Sequence, residues 1–227
     1  IGFRTVIFMG YRLLAILRYS INNIIKMNEV LVFIENNWIS IIGAVIGLVY
    51  LFLEYRANAW MWAASIVMAI FYIYIFYTTK LYASMTIYIY FLLASVYGWI
   101  VWIARNRDEK TGEELISNVE KKYILPIIVA ISIVFVLIWL ILTRFSENQA
   151  VITIGDSLTT SLNIVALWMV SRKWAEQWLL VIPANFISSC LLFLQHDIMS
   201  GVLFFIFFVV SIFGYFNWKR KIIINIK

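Results

Sequence analysis

Residues 98–102 read Gly-Trp-Ile-Val-Trp, and residues 214–218 read Gly-Tyr-Phe-Asn-Trp, the same frame 116 positions later. Working outward at that offset, with no gap, Arg56 returns as Arg172, Trp62 as Trp178 and Ser84 as Ser200. Each copy takes in three apolar segments, so the chain carries one three-helix block twice. A duplicated helical block in a membrane is the layout of a transporter, with the ligand held where the copies face each other.

Composition supports the membrane. Apolar residues make up 64% of the 227 and charged residues 13%, too little polar surface for a soluble domain of this size. Charge-free runs lie at 36–53, 57–79, 81–104, 123–143, 157–171, 177–195 and 198–218. Against the roughly 20 residues a helix needs, they predict seven crossings, the fifth extended by its polar ends. The runs do not alternate as barrel strands would. The expected fold is therefore all-α: seven transmembrane helices as two parallel three-helix repeats joined by a linker helix, preceded by an amphipathic helix. The boundaries are an N-terminal segment at 1–35, repeat one at 36–104, a cytoplasmic loop and linker at 105–153, repeat two at 154–220 and a tail at 221–227.

Basic residues orient this arrangement. Twelve lie on one side (Arg56, Arg105, Arg107, Lys110, Lys121, Lys122, Arg172, Lys173, Lys219, Arg220, Lys221 and Lys227) and two on the other (Lys80 and Arg144). The excess predicts a cytoplasmic C-terminus and a cytoplasmic inter-repeat loop. In the first segment Arg4, Arg12, Arg18, Asn22 and Lys26 share an arc of about 120°, so a helix lying at the interface is expected, with an eighth crossing as the alternative. The linker crossing carries Pro126, placed in its first turn. The charged connector before it reads as a solvated loop. The single cysteine, Cys190, excludes an intrachain disulfide, and the net charge of +6 belongs to loops beside a membrane rather than to a nucleic-acid surface.

Polar side chains inside membrane helices are costly without partners, so they map the ligand-filled interior. In the sixth span Trp178, Val181, Asn185, Ser188 and Ser189 fall on one helical face, with Pro183 releasing the carbonyl of Leu179. In the fifth, Asp156, Thr160 and Asn163 share a face, with Asp156 at the helix start as an N-cap or first-turn carboxylate. Repeat one contributes Trp62, Ser84 and Tyr88. The expected substrate-binding set is Trp178, Asn185, Trp62, Tyr88, Ser84, Asn163, Thr160 and Ser188. No cofactor or metal is expected. No ionisable residue lies mid-span, Glu54 and Asp156 being placed at helix ends, which points to passive movement. The lone histidine, His196, falls in a short loop, and the chain carries no H-E-x-x-H, so neither an enzyme nor a sensor is favoured.

The runs NWISIIGAVIGLVYLFLEYR (37–56), KLYASMTIYIYFLLASVYGWIVW (80–102), DSLTTSLNIVALWMVSRKWAEQW (156–178) and FGYFNWK (213–219) closely resemble the PnuC family of bacterial vitamin transporters. The resemblance implies a full-length relative of the SWEET facilitators, a homotrimer in the bacterial inner membrane. It also implies facilitated diffusion of nicotinamide riboside, trapped by a cytoplasmic vitamin kinase. Trp178 and Asn185 match the family's W-x-x-W-x-x-x-N pattern. Val181 stands where its second tryptophan would be, and Ser84 and Tyr88 stand where the family carries Asp and Gln. These departures keep thiamine, the substrate of the PnuT branch, as the alternative, since aromatic faces hold cations.

Overall fold

The computed structural model describes residues 2–78, 80, 82–104, 115–145 and 150–226. In chain order the helices are α1 (Gly2–Tyr55), α2 (Trp60–Thr78), α3 (Tyr82–Ala104), α4 (Lys121–Phe145), α5 (Ala150–Ser171), a single 3-10 turn (Ala175–Gln177), α6 (Trp178–Leu194) and α7 (Ile198–Ile226). Among the described residues seven stretches are long and apolar enough to cross a bilayer. Among the described residues the only strand-like pairing is one isolated bridge. The protein is an all-α integral membrane protein, as its composition requires.

Three local expectations change. α5 begins at Ala150, so Asp156 sits inside the helix in its second turn, not at its start, and Thr160 hydrogen-bonds its carboxylate. The residues before it (Val151, Ile152, Thr153 and Ile154) are apolar or β-branched and simply continue the membrane helix. α4 begins at Lys121, which puts Pro126 in the second turn. The carbonyl it frees is that of Lys122, a residue exposed to solvent. Finally, the amphipathic segment and the first crossing, expected as separate elements, are carried on one helix, α1, from Gly2 to Tyr55.

By packing, the chain forms two units, residues 1–45 and 46–227. The first is helical throughout its described residues, with Met27, Leu31, Val32, Phe33 and Ile34 exposed and the Asn37 amide donating to the Phe33 carbonyl at 2.9 Å. The side chains of the basic arc from Arg4 to Lys26 lie outside the described residues. In the second unit α2 packs on α3, α6 on α7, and α5 against α3, α4 and α6. α5 is the central helix. Its hydroxyls Ser157, Thr159, Ser161 and Ser171 each donate to a carbonyl three or four residues back, at 2.6–3.1 Å. Such self-satisfied small residues let neighbouring helices approach closely. α4 is its opposite, exposing Ile124, Leu125, Ile128, Val129, Ile133, Val136 and Leu137 as a lipid-facing helix should.

The repeat seen in the sequence reappears in backbone geometry. Among the described residues four other than glycine have positive φ: Ala57 (54°), Lys80 (60°), Lys173 (60°) and His196 (61°). They form two pairs at the 116-residue offset. Three of them terminate a helix through the same double bond pattern. Ala57 N–H reaches Glu54 O and Asn58 N–H reaches Leu53 O. Lys173 and Trp174 do likewise to Val170 and Met169, and His196 and Asp197 to Phe193 and Leu192, all at 2.8–3.2 Å. This is the Schellman closure, whose left-handed residue is normally glycine. A side chain there costs about 1–2 kcal/mol, which the caps and packing offset. We predict that His196→Gly, at an exposed turn, raises thermal stability in detergent by about 1 kcal/mol. An unchanged or lowered unfolding midpoint would show that the turn is unstrained.

Candidate functional site

The buried heart of the second unit lies at its basic end, where Arg56, Arg172, Lys173 and Lys219 are found. Trp62, Trp102, Trp178 and Trp218 are each 0% exposed and share one core cluster. They form a chain of ring contacts: Trp62 to Trp102 at 6.0 Å and 77°, Trp102 to Trp218 at 6.4 Å and 51°, Trp218 to Trp178 at 5.9 Å and 86°. Edge-to-face packing of this kind suits the ring quadrupoles. Glycine makes room for it twice. A methyl at Gly214 would lie 2.7 Å from the Trp178 ring, and one at Gly98 would overlap the Trp62 ring more deeply.

The outer pair of indoles is hydrogen-bonded crosswise. Trp102 Nε1 on α3 donates to Val170 O at the end of α5 (2.8 Å), and Trp218 Nε1 on α7 donates to Glu54 O at the end of α1 (2.9 Å). Each bond gives a last-turn carbonyl a second donor beside the N–H of its closing turn, Lys173 or Ala57. Donors and acceptors are again 116 residues apart, so each repeat closes the helix end of the other. Asn217 and Lys221 reinforce one side by donating to the carbonyls of Tyr55 (2.7 Å) and Arg56 (2.9 Å).

The inner pair differs. Trp62 Nε1 and Trp178 Nε1 are buried and have no hydrogen-bond partner. Beside them sits a polar pair that sequence reading missed. Glu54, placed at a helix end by sequence, is only 3% exposed and faces the Gln177 amide, neither polar atom of which completes a well-formed hydrogen bond. Leaving buried donors and acceptors unmade costs about 1–3 kcal/mol each. Lys173, expected among surface cations, is 2% exposed, with its amine over the Trp102 ring at 5.2 Å and 3.4 Å from the Trp102 carbonyl. The repeat explains why spacing alone could not reveal these groups. Their equivalents are Val170, Met61 and Ala57, so the offset points to apolar positions.

The connector is not wholly a solvated loop. Ser117 N–H donates to Lys173 O and Ala175 N–H to Ser117 O, both at 3.0 Å. Val119 N–H reaches Glu176 Oε2 at 2.8 Å, and Lys219 pairs with Glu176 and with Asn118 Oδ1. This strap seats Ile116 in the tryptophan cluster, closing the basic end.

Of the expected binding residues, the structure brings Trp62 and Trp178 into that cluster. Asn185 is buried beside it along α6 and donates to Ser211 Oγ at 3.0 Å. Ser211 itself donates to Phe207 O, as its repeat partner Ser95 does to Phe91 O, at 2.7 and 2.6 Å. Ser95 meets Ser65 at 2.7 Å where Ser211 meets Asn185. The 116-residue offset could have found this serine pair in sequence. Tyr88 lies apart, among Tyr72 (4.8 Å), Phe76 and Phe91 between α2 and α3. Thr160 serves Asp156. Asn163 and Ser188 are half-buried. Ser189, not Ser188, makes the buried bond, to Gly201 O at 2.8 Å. The Ser84 side chain lies outside the described residues.

Seven apolar spans among the described residues, with unpaired indole donors buried in the second unit, define a polytopic membrane protein. A family model described as nicotinamide mononucleotide transporter matches residues 37–220, and the chain belongs to that family. It is similar to the nicotinamide riboside transporter PnuC of Escherichia coli (25% identical over 203 residues, 80% of this chain and 85% of the relative). The Haemophilus influenzae protein of the same name is 22% identical over 189 residues, covering 82% and 81%. The crystal structure of the vitamin B3 transporter PnuC shares the fold, with a TM-score of 0.67, 19% identity and 85% coverage of each chain.

Gly214→Ala is expected to destabilise the protein by about 1–3 kcal/mol, because a fully buried indole must shift. A thermal melt in detergent at wild-type midpoint would show that Trp178 has room to move.

Proposed function

We propose that this protein is a uniporter for a dephosphorylated, cationic B vitamin, with nicotinamide riboside as substrate and thiamine as the alternative. The observation that carries the reading is the pair of buried indole N–H groups, Trp62 and Trp178, left without partners at equivalent positions of the two repeats. The names of the similar transporters support the substrate class. The recurrence of helix caps and crossed indole bonds at one offset supports a 3+1+3 arrangement of parallel repeats, with α4 as linker. The basic-side excess supports a bacterial inner-membrane protein with a cytoplasmic C-terminus. The homotrimer and the cytoplasmic kinase that traps the vitamin complete the proposal as implications of the family resemblance.

Within this reading Trp178 supplies an aromatic wall and a donor, and Trp62 its counterpart. Asn185 already spends one donor on Ser211, but its carbonyl oxygen retains acceptor capacity for a ligand hydroxyl. The family model is described by the mononucleotide. A phosphate adds nearly two negative charges and calls for an Arg fork or a helix N-terminus. The buried Glu54 would oppose it, while Lys173 is already engaged with Trp102.

Asn185→Ala and Trp178→Ala should each weaken nicotinamide riboside binding by about 5-fold to 150-fold. Calorimetry on folded protein measures this. Wild-type affinity in Asn185→Ala would assign the residue to helix packing with Ser211 alone. The same calorimetry should find nicotinamide mononucleotide and thiamine phosphate rejected, and comparable affinity for a phosphorylated form would place the site among the basic residues. In proteoliposomes, removing the proton or sodium gradient at fixed membrane potential should leave riboside counterflow unchanged. A proton or sodium flux that follows the substrate would rule out uniport.

A further inference from the structure

Two positions at the basic end carry more chemistry than the fold needs. At the end of α1 the structural duty of Glu54 is done by its backbone carbonyl, which accepts the Trp218 indole. In the other repeat Val170 performs the same duty with an apolar side chain, its carbonyl accepting the Trp102 indole. The carboxyl group of Glu54 is therefore surplus to this architecture, yet it is almost fully buried. Gln177 stands likewise against Met61, and both are 0% exposed. The apolar residue shows that the site packs without an amide. The amide nonetheless faces the Glu54 carboxyl, with neither of its polar atoms well bonded. Trp178, the next residue, adds an unpartnered indole N–H.

A buried carboxylate and an unsatisfied amide are unfavourable in a core and persist where a ligand completes them. The pair offers one carboxyl group, which a cation beside it would hold ionised, one amide donor group and one amide acceptor. Its complement is a ligand with one delocalised positive charge and several hydroxyls, the description of an N-glycosylated pyridinium. A neutral sugar would leave the carboxylate uncompensated, and a phosphorylated ligand would repel it. Tyr50, one turn earlier on α1, also lies near the carboxyl.

We propose that Glu54 and Gln177 form a charge-selecting station at the basic end of the path, the carboxylate countering the positive ring and the amide meeting ligand hydroxyls. This rests on the vitamin-transport reading above and goes beyond it by assigning charge selection to two residues outside the expected binding set.

The test compares two forms of one ligand in calorimetry on purified protein: nicotinamide riboside, which is cationic, and its reduced dihydro form, which is neutral with the same hydroxyls. Wild type should favour the cation by at least about tenfold, and Glu54→Gln should bring the ratio close to one. Glu54→Val, which installs the residue of the equivalent position, provides a second variant compatible with the fold and should do the same. Gln177→Met, built on the same logic, should weaken both forms together and keep the ratio. Folding is checked by monodispersity and thermal midpoint. A wild-type ratio near one, or a wild-type ratio kept in folded Glu54→Gln and Glu54→Val, would overturn the charge-selecting role while leaving the transport reading intact. Wild type that binds neither form would instead overturn the riboside reading, and this inference with it.

Discussion

Backbone carbonyls at the end of a membrane helix have no intrahelical donor, and in a low-dielectric interior they must find one. In this protein the N–H groups of the closing turns, Lys173 and Ala57, supply one donor each, and two indoles exchanged between repeats supply a second: Trp102 at the end of α5 and Trp218 at the end of α1. The rest of the basic end follows from that exchange. The indoles must be buried to reach the carbonyls, and their rings then contact Trp62 and Trp178, which need Gly98 and Gly214 for space. The three Schellman turns at residues 57, 173 and 196, with the left-handed Lys80 at the fourth helix end, direct the next helices back into the membrane.

Twofold repetition explains the scaffold, and departures from it mark the chemistry. Where both repeats hold the same residue type and its polar group is bonded, that group is structural. Ser95 and Ser211 bond their own helices and receive a neighbour. Where they differ, one repeat is apolar and the other polar: Val170 against Glu54, Met61 against Gln177, Ala57 against Lys173, Ala69 against Asn185. An apolar residue at one of each pair shows that packing does not demand the polar one. The strap at residues 115–119 is a further asymmetry, since it anchors on the Lys173–Gln177 turn and on Lys219. Its Ile116 covers the tryptophans from one side.

This arrangement accounts for both halves of the functional proposal. Aromatic faces and indole donors suit a flat heterocyclic vitamin, and buried acidity at the basic end disfavours phosphate. The cations at the basic end hold loops and helix ends: Lys219 holds the strap and Lys221 caps Arg56.

The sequence by itself determined the membrane class, the seven crossings, the 116-residue repeat and the recurrence of Trp62 as Trp178. These depend on composition, hydropathy and identity at a fixed offset, which are properties of the chain alone. It placed Asp156 at a helix start and the connector in solvent, because helix ends and loop docking depend on neighbours that a linear pattern does not contain. Tertiary structure alone decided that Asn185 pairs with Ser211, that Ser189 rather than Ser188 is tied to α7, and that Tyr88 joins a separate aromatic cluster. It alone revealed Glu54, Gln177 and Lys173 as buried. Each is a polar residue beside a run of charges, and from sequence such residues read as solvated. Only the closing of one repeat against the other removes them from water.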